Sequence, residues 1–296
     1  MTISEAAGIY GYRNEEIMME RLEQCDLDIS ALKLLGQGRT ASVYAYAEDK
    51  VIKLYLPGIP QEGVRREWAA SSLAYSLGIR TPRPYECVRI DAATGVVYQH
   101  ISGITLLGII FQKPWAVSSS ARSLARMHAE IHSREGGELV TQKSVLDYNI
   151  GAAPLLTPEE KQRVRLHLDR LPAGSSLCHG DFHPDNVIVN DGCWTIDWMN
   201  GMCGHPAGDA ARTLVLLSVG SMPENTSRTA SVFINLVRRR LKSVYLSQYL
   251  KATGMYSTSI DEWLLPVAAA RLAEGIPEAE KEQLVMMIRS RLTQDH

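Results

Sequence analysis

The sequence has few of the features that mark secreted, membrane-spanning or nucleic-acid-binding proteins. It contains five cysteines in 296 residues, without a C-x-x-C pair, and we expect free thiols in a reducing compartment. The longest apolar run, residues 104–111, is far too short to cross a bilayer. Residues 1–13 contain no basic segment followed by an apolar one. We therefore expect a cytoplasmic protein with no membrane partner.

Neither sign of charge is in excess. The chain has 31 basic and 33 acidic residues, which gives a formal net charge of -2. A nucleic-acid-binding protein usually needs a basic surplus to contact many phosphates, so no nucleic-acid partner is expected. Hydrophobic residues make up 45% of the chain, enough for the core of one large domain or two lobes, and there is no repeat or low-complexity linker.

The first hundred residues favour a small antiparallel sheet that carries one helix. Alternating patterns between turns predict strands at residues 31–35, 42–47, 51–55, 84–90 and 96–101. Apolar residues at helical spacing predict a helix over residues 64–77, with Gly78 as a natural C-cap.

Beyond Gly103 the pattern becomes helical, first over residues 118–133. Thr157, followed by Pro158 and by Glu160, has the spacing of a capping box, and Ser259 to Glu262 repeats that spacing. Pro277 is expected to open the last helix. We predict an α+β protein with two lobes, residues 1–102 and residues 103–296, and a cleft between them; it is expected to be a monomer or a homodimer.

The motif Cys178-His-Gly-Asp-Phe-His-Pro-Asp-Asn186 indicates chemistry. Asp181 and Asn186 stand five positions apart in a loop that Pro184 keeps from being helical, and Asp197 follows eleven residues later between apolar neighbours. One carboxylate can orient a hydroxyl while an amide and a second carboxylate hold magnesium. Asp181 or Asn186 alone would favour an ordinary turn cap. Together with Asp197 at this spacing, they favour phosphoryl transfer from a nucleotide.

A zinc site is the competing interpretation of the same segment. Its ligands would come from Cys178, His179, His183, Cys193, Cys203 and His205. This reading is disfavoured because Pro184 prevents the first two histidines from facing one side of a helix, and because no short cysteine pair exists.

The order of the motifs resembles the kinase-like fold. A glycine-rich hairpin, a lysine in a strand, a glutamate in the next helix and two acidic loops follow one another. The segment H-G-D-F-H-P-D-N, then I-D-W, then Gly208-Asp-Ala-Ala-Arg212, is similar to the aminoglycoside phosphotransferase and choline kinase family. The resemblance extends to about Leu217, nearly the whole chain.

The resemblance implies a bilobal fold that uses ATP, or GTP, with Mg²⁺. It implies that Asp181 is the catalytic base and that Asn186 and Asp197 are metal ligands. His179 would support the loop backbone. His183 stands where many protein kinases place a phosphate-contacting lysine, so it would either donate to the γ-phosphate or simply pack.

The resemblance also implies a nucleotide site in the first lobe. Lys53 would reach the α- and β-phosphates, with Glu67 as its partner and Glu62 as a possible substitute. A glycine loop would cover the phosphates, although Ala41 stands where a third glycine is usual. Asp209 would hydrogen-bond the catalytic-loop backbone or cap a helix. The remaining expected nucleotide contacts are Gly36, Gly38, Ser42 and Val43 in the loop, and the main chain of Gln99, His100 and Ile101 at the hinge.

The acceptor is expected to be a small molecule with a hydroxyl group, such as an amino sugar or an amino alcohol. Only twelve positions separate Asp197 from Asp209, which leaves little room for the segment that presents a polypeptide in protein kinases. A non-catalytic nucleotide-binding module and an atypical protein kinase are the alternatives. Polar residues available to an acceptor pocket are Asn200, Glu224, Asp261, Glu262 and Glu274.

Overall fold

The protein is described by a computed structural model, in which residues 23–24, 27–219 and 228–294 are defined. Contacts between residues divide the chain into two compact units. The first contains Met1–Ile104 and Ile188–Gly201, and the second contains Thr105–Val187 and Met202–His296. The assignment of nucleotide binding to residues 1–102 and of catalysis to residues 103–296 stays a prediction.

The first unit is built on a six-stranded sheet with the order β1-β5-β6-β4-β3-β2. All neighbours are antiparallel except β1 and β5. One helix, α1 (Gln61–Ser76), connects β4 to β5. The strands are β1 (Glu23–Gln24), β2 (Leu34–Gln37), β3 (Ala41–Ala47), β4 (Lys50–Tyr55), β5 (Pro84–Ile90) and β6 (Ala93–Gln99).

The predicted elements of this unit are found, with two corrections, and one of them is that the strand expected at residues 96–101 spans Ala93–Gln99. The first strand was expected at residues 31–35, but Ile29–Ala31 forms a short 3₁₀ turn and β2 begins at Leu34. The turn forms because the Asp28 side chain accepts a hydrogen bond from the backbone of Ser30. Helix α1 ends as expected, since Gly78 adopts a φ of 77° and Ile79 N donates to the carbonyl of Ala74.

The two faces of the sheet bury different sets of side chains. Ala41, Tyr55, Val64, Val96 and Tyr98 form the cluster on the helix side, whereas Ile52, Val88, Ile90 and Val97 form the other cluster. Side chains alternate between the faces of a strand. Lys53 therefore lies on the same side as Tyr55, which faces helix α1.

The second unit is mostly helical. Strands β8 (Ser176–Cys178) and β11 (Met202–Gly204) pair antiparallel, with Cys178 opposite Met202. Two further short strands, β7 (Ile104–Thr105) and β9 (Val187–Val189), lie where the chain passes from one unit to the other, and β10 (Cys193–Thr195) belongs to the first unit. The helices are α2 (Leu106–Gln112), α3 (Val117–His132), α4 (Gln142–Ala152), α5 (Pro158–Arg170), α6 (Pro206–Ser218), α7 (Arg228–Thr253), α8 (Ser257–Arg271) and α9 (Glu278–Gln294).

One of the two predicted capping boxes is confirmed and the other is wrong. Thr157 Oγ1 accepts from Glu160 N at 3.2 Å, and Glu160 accepts in return from Thr157 N at 2.9 Å. Helix α8, however, begins at Ser257 with Tyr256 as its N-cap, so Ser259 lies inside the first turn. Pro277 directly precedes α9, as expected. Within the described ranges, no helix combines the length and apolar character needed to span a bilayer.

Candidate active site

In the first unit, Lys53 is held between two carboxylates. Its Nζ atom lies 2.7 Å from Glu67 Oε1 and 2.8 Å from Asp197 Oδ1. The side chain is 13% exposed, and burial alone would lower the pKa of its amine, but the two carboxylates outweigh burial and raise it. Lys53 is therefore a fixed positive charge.

Glu67 is the partner of Lys53, and the alternative Glu62 is not. Glu67 is 2% exposed, and its second oxygen accepts a hydrogen bond of 2.7 Å from the hydroxyl of Tyr55. Burial raises the pKa of the Glu67 carboxyl, and the Lys53 ammonium opposes this shift. Glu62 instead pairs with Arg66, four residues further along the helix. Sequence reasoning did not identify Tyr55, although it lies on the same strand face as Lys53.

Asp197 has an unusual backbone conformation. Its φ is 66°, in the left-handed region that residues other than glycine rarely adopt. The neighbouring backbone is tied down, because Thr81 Oγ1 donates to the carbonyl of Thr195 and accepts from the indole of Trp198. Strain of this kind persists where the surroundings enforce it, often at functional sites. The Asp197 side chain is 40% exposed.

The glycine hairpin lies between β2 and β3. Gly38 N donates to the carbonyl of Ala41 at 2.8 Å and closes the turn. A side chain added at Gly36 would meet nothing within 4 Å, so packing within the protein does not require this glycine. Ser42 pairs with Leu54 across the sheet, and Val43 pairs with Lys53.

Two of the three expected hinge residues already use their backbone amides. Gln99 N donates to the carbonyl of Arg83, and His100 N donates to the carbonyl of Asp49 at 2.7 Å. Gln99 is the last residue of β6, and Ile101 follows outside the strand. Main-chain recognition of a base by these residues would therefore use their carbonyl groups or the amide of Ile101.

In the second unit, Asp209 fixes the loop that carries Asp181. Its carboxylate accepts from His179 N at 2.6 Å and from Gly180 N at 2.9 Å. Gly180 has a φ of 76°, which suits glycine and turns the chain before Asp181. Asp209 bonds the loop backbone as predicted, but it is not a helix cap, since His205 caps α6.

Asp181 is surrounded by groups that favour its charged form. Arg212 Nη2 lies 3.2 Å from Oδ1, and His183 Nε2 lies 3.4 Å from Oδ2. Burial would raise the pKa of Asp181, but His183 and Arg212 hold it well below its ordinary value. Arg212 Nε also donates to the carbonyl of Gly180, so this arginine supports both the Asp181 carboxylate and the loop.

The two ring nitrogens of His183 have different partners. Nδ1 accepts a hydrogen bond from Asp185 N at 3.3 Å, which places the proton of a neutral ring on Nε2, the atom that faces Asp181. His183 thus contacts the carboxylate of Asp181 in this structure. His179 is fully buried, and its Nδ1 accepts from Asp181 N.

The side chain of Asn186 is held by a hydrogen bond within its own loop. Its side-chain Nδ2 donates to the carbonyl of Asp181 at 2.9 Å. With the nitrogen engaged in this way, the amide oxygen is the atom available to a cation. Asn186 ends a short 3₁₀ turn, Pro184–Asn186, as expected for a loop that does not continue as a helix.

Among the polar residues named for an acceptor pocket, Glu274 is tied to Asp181. Arg212 bridges them, since it also contacts both carboxylate oxygens of Glu274 at 2.6 and 3.0 Å. Arg271 holds Glu274 from the other side at 2.9 Å. Asp261 instead pairs with Arg291. Asn200 and Glu262 are exposed, and Glu224 lies outside the described residues.

Sequence reasoning missed a buried cluster beneath the loop. Among the described residues, His128, His132 and Asp209 form a group of potential metal ligands whose atoms lie within 4.8 Å of one another. It is not the set of cysteines and histidines considered above for zinc. The i, i+4 spacing of the two histidines was the available signal, but it also fits an ordinary helix face.

The fold is that of the kinase-like phosphotransferases. APH(2″)-IIa, solved in complex with streptomycin and ATP, is 17% identical in sequence to this protein. The match covers 90% of this chain and 97% of the APH(2″)-IIa chain, with a TM-score of 0.55. APH(2″)-IIIa, solved with GDP and kanamycin, is 16% identical. The match covers 92% of this chain and 96% of that chain, with a TM-score of 0.56. Macrolide 2′-phosphotransferase MphH from Brachybacterium faecium is 17% identical. The match covers 91% of this chain and 96% of that chain, with a TM-score of 0.50.

The family is shown by the sequence itself. Residues 31–230 match the model of the phosphotransferase enzyme family, which is more than half of the chain. The protein belongs to this family. The predicted resemblance, the bilobal α+β fold and the enzyme class, a phosphotransferase with an alcohol group as acceptor, are confirmed. No curated protein matches the chain.

Proposed function

We propose that the protein transfers the γ-phosphoryl group of ATP or GTP to a hydroxyl of a small molecule such as an amino sugar or an amino alcohol. The observation that carries the proposal is the position of Lys53, 2.7 Å from Glu67 and 2.8 Å from Asp197. A strand, a helix and a loop each contribute one member of this group. A lysine fixed in this way is suited to contact nucleotide phosphates.

The nature of the nucleotide and the acceptor is supported by related enzymes. APH(2″)-IIa was solved with streptomycin and ATP, and APH(2″)-IIIa with GDP and kanamycin. In this chain, we expect the glycine hairpin to cover the phosphates and the main chain at Ile101 to contact the base. The amides of Gln99 and His100 are already bonded, so their contribution would come from carbonyl groups.

Asp181 is proposed to orient the acceptor. Its carboxylate accepts a hydrogen bond from the hydroxyl, whose oxygen bonds to the γ-phosphorus while the bond from that phosphorus to the β–γ bridging oxygen breaks. The hydroxyl proton passes to Asp181. Because its pKa is held low, Asp181 is a weak base, and orientation before bond formation is its main contribution. Arg212 and His183 keep the carboxylate in place for this role.

Asn186 and Asp197 are proposed to hold magnesium. Both offer oxygen atoms, which a hard cation prefers, and the hydrogen bond made by Asn186 Nδ2 turns its amide oxygen toward this use. Bound magnesium would neutralise charge on the β- and γ-phosphate oxygens. His183 is proposed to position Asp181, since its Nε2 faces that carboxylate.

The short connection between Asp197 and Asp209 favours a small acceptor over a polypeptide. Met202–Gly204 within it is paired with β8, and helix α6 starts at Pro206. Few residues therefore remain to present a protein substrate. A coupled assay of ADP release over amino sugars, amino alcohols, sugars and nucleosides tests the proposal. Tight ATP binding without turnover of any class would favour a non-catalytic module instead.

The role of Asp181 is tested by substitution. We expect Asp181→Ala to lower turnover by about 10²–10⁴-fold, because the hydroxyl loses its orienting acceptor, while ATP still binds. Steady-state kinetics and calorimetry measure the two effects. Asp185→Ala is the matched control, since Asp185 is an exposed aspartate of the same loop. Retained turnover in Asp181→Ala would falsify the assignment.

The role of Asp197 is tested by its metal dependence. We expect Asp197→Asn to weaken nucleotide binding in the presence of magnesium, because the amide is a poorer ligand than the carboxylate. Calorimetry with and without magnesium makes the comparison. Asp191→Asn serves as the control, because Asp191 lies in the same segment and contacts the indole of Trp194. Unchanged affinity in Asp197→Asn would remove this residue from the metal site.

A further inference from the structure

Two helices of the second unit contribute four ring side chains to a buried cluster around Asp209. His128 and His132 are one turn apart on α3, and Tyr245 and Tyr249 are one turn apart on α7. Each histidine contacts one tyrosine, at 2.7 Å for His128 and Tyr245 and at 2.6 Å for His132 and Tyr249. All four side chains are buried. Such a polar group in an interior needs a partner for every donor and acceptor.

The contacts assign the protons of both histidines. In each ring, Nε2 lies close to Asp209 Oδ2, at 3.0 Å for His128 and 3.1 Å for His132. An ionised carboxylate only accepts, so both Nε2 atoms carry the proton, and both Nδ1 atoms accept from a tyrosine hydroxyl. This arrangement satisfies each of these groups while both rings are neutral.

The carboxylate at the centre also holds the catalytic loop. Asp209 Oδ2 accepts from His179 N at 2.6 Å, and Oδ1 accepts from Gly180 N at 2.9 Å. These are the two amides directly before Asp181. A rotation of the Asp209 carboxylate would therefore break the bonds that set the direction of the chain entering Asp181.

We propose that His128 and His132, fixed as Nε2–H tautomers by Tyr245 and Tyr249, are positioning residues that orient Asp209 and, through it, the backbone preceding Asp181. The effect on catalysis rests on the proposed function, in which Asp181 is the base. Its structural part concerns the tautomers and the two loop amides, and these can be measured whether or not an acceptor is known.

The alternative occupant of this cluster is a metal ion. The Nε2 atoms of both histidines and a carboxylate oxygen of Asp209 are close enough to bind one. A bound cation would require both Nε2 atoms to lose their protons, and the tyrosine hydroxyls would then accept from Nδ1. The hydrogen-bonded arrangement and the metal site therefore predict opposite tautomers.

The first test is a long-range ¹H–¹⁵N correlation spectrum of the full-length protein labelled at histidine. We expect the Nε2–H tautomer for His128 and His132, with signals assigned by His128→Gln and His132→Gln. Metal analysis of the same sample accompanies it. Nδ1–H tautomers, or a stoichiometric transition metal removed by EDTA with a change in these signals, would overturn the proposal.

The second test measures the loop itself by amide hydrogen exchange. In His132→Leu we expect the amides of His179 and Gly180 to exchange about tenfold faster, the equivalent of one weakened hydrogen bond. His132→Gln retains a donor near the Nε2 position and should stay within about threefold of the wild type. His167→Gln is the matched control, since His167 bonds the carbonyl of Glu262 outside the cluster. Unchanged exchange in a folded His132→Leu protein would refute the positioning role.

Kinetics connect the cluster to catalysis. With an acceptor identified by the ADP-release assay, His132→Leu should lower kcat about tenfold and leave KM for ATP unchanged, and His132→Gln should restore most of kcat. An equal loss in both variants would contradict positioning by the Nε2 donor. If no acceptor is found, the proposed function fails, whereas the tautomers and the exchange rates still decide the role of the histidines.

Discussion

At the scale of single residues, the position of Lys53 depends on charges far away in sequence. A strand lysine between Ile52 and Leu54 is ordinarily a solvated residue, and only its partners distinguish this one. Glu67 and Asp197 lie 14 and 144 positions away. The sequence predicted the pairing with Glu67 through the family resemblance, whereas the choice between Glu62 and Glu67 depended on which helix face meets β4.

Glu67→Gln is therefore expected to weaken nucleotide binding and to destabilise the fold. The amide can still accept hydrogen bonds, but it no longer balances the charge of Lys53, and we expect a loss of roughly 1–3 kcal/mol in the free energy of unfolding. Urea unfolding and ATP titration measure both effects. Glu62→Gln is the control on the same helix, and an equal effect of the two substitutions would contradict the pairing.

At the scale of elements, two local signals were confirmed, and in both the interaction itself is local. Helix α1 with its terminal glycine and the cap of α5 each depend on residues within a few positions of one another. The cluster around Asp209 could not be predicted in this way, because each histidine meets a tyrosine 117 positions away. In the sequence, His128 and His132 are indistinguishable from other residues on the buried face of α3.

The two capping-box patterns give a direct comparison. Thr157→Ala should cost about 1 kcal/mol in the free energy of unfolding, because Glu160 N loses its acceptor at the start of α5. Ser259→Ala should change it by less than about 0.5 kcal/mol, since Ser259 lies within α8 and is not its cap. Urea denaturation of both variants tests this difference. An equal loss in the free energy of unfolding in the two variants would show that the Thr157 cap does not stabilise α5.

At the scale of the whole molecule, several buried groups bind protons differently in the folded and unfolded chains. Burial, together with His132, lowers the pKa of His128 from its ordinary value of 6.5 to about 3. The histidines hold the pKa of Asp209 well below its ordinary value despite burial, and Asp181 shifts in the same direction. Glu67 shifts in the opposite direction. Burial also lowers the pKa of His205, so His128 and His205 both shift across mildly acidic pH.

We expect the stability of the protein to fall as the pH is lowered from 6.5 toward 3. In this window His128 takes up a proton in the unfolded chain but stays neutral in the folded one, so acid favours unfolding. One such proton changes the free energy of unfolding by at most about 1.4 kcal/mol per pH unit. Urea unfolding at pH 7, 6, 5 and 4 measures the slope, which should be smaller in His128→Gln and unchanged in His167→Gln. A slope that His128→Gln leaves intact would mean that His128 binds a proton equally in the folded and the unfolded chain, and the neutral hydrogen-bonded cluster would then be wrong.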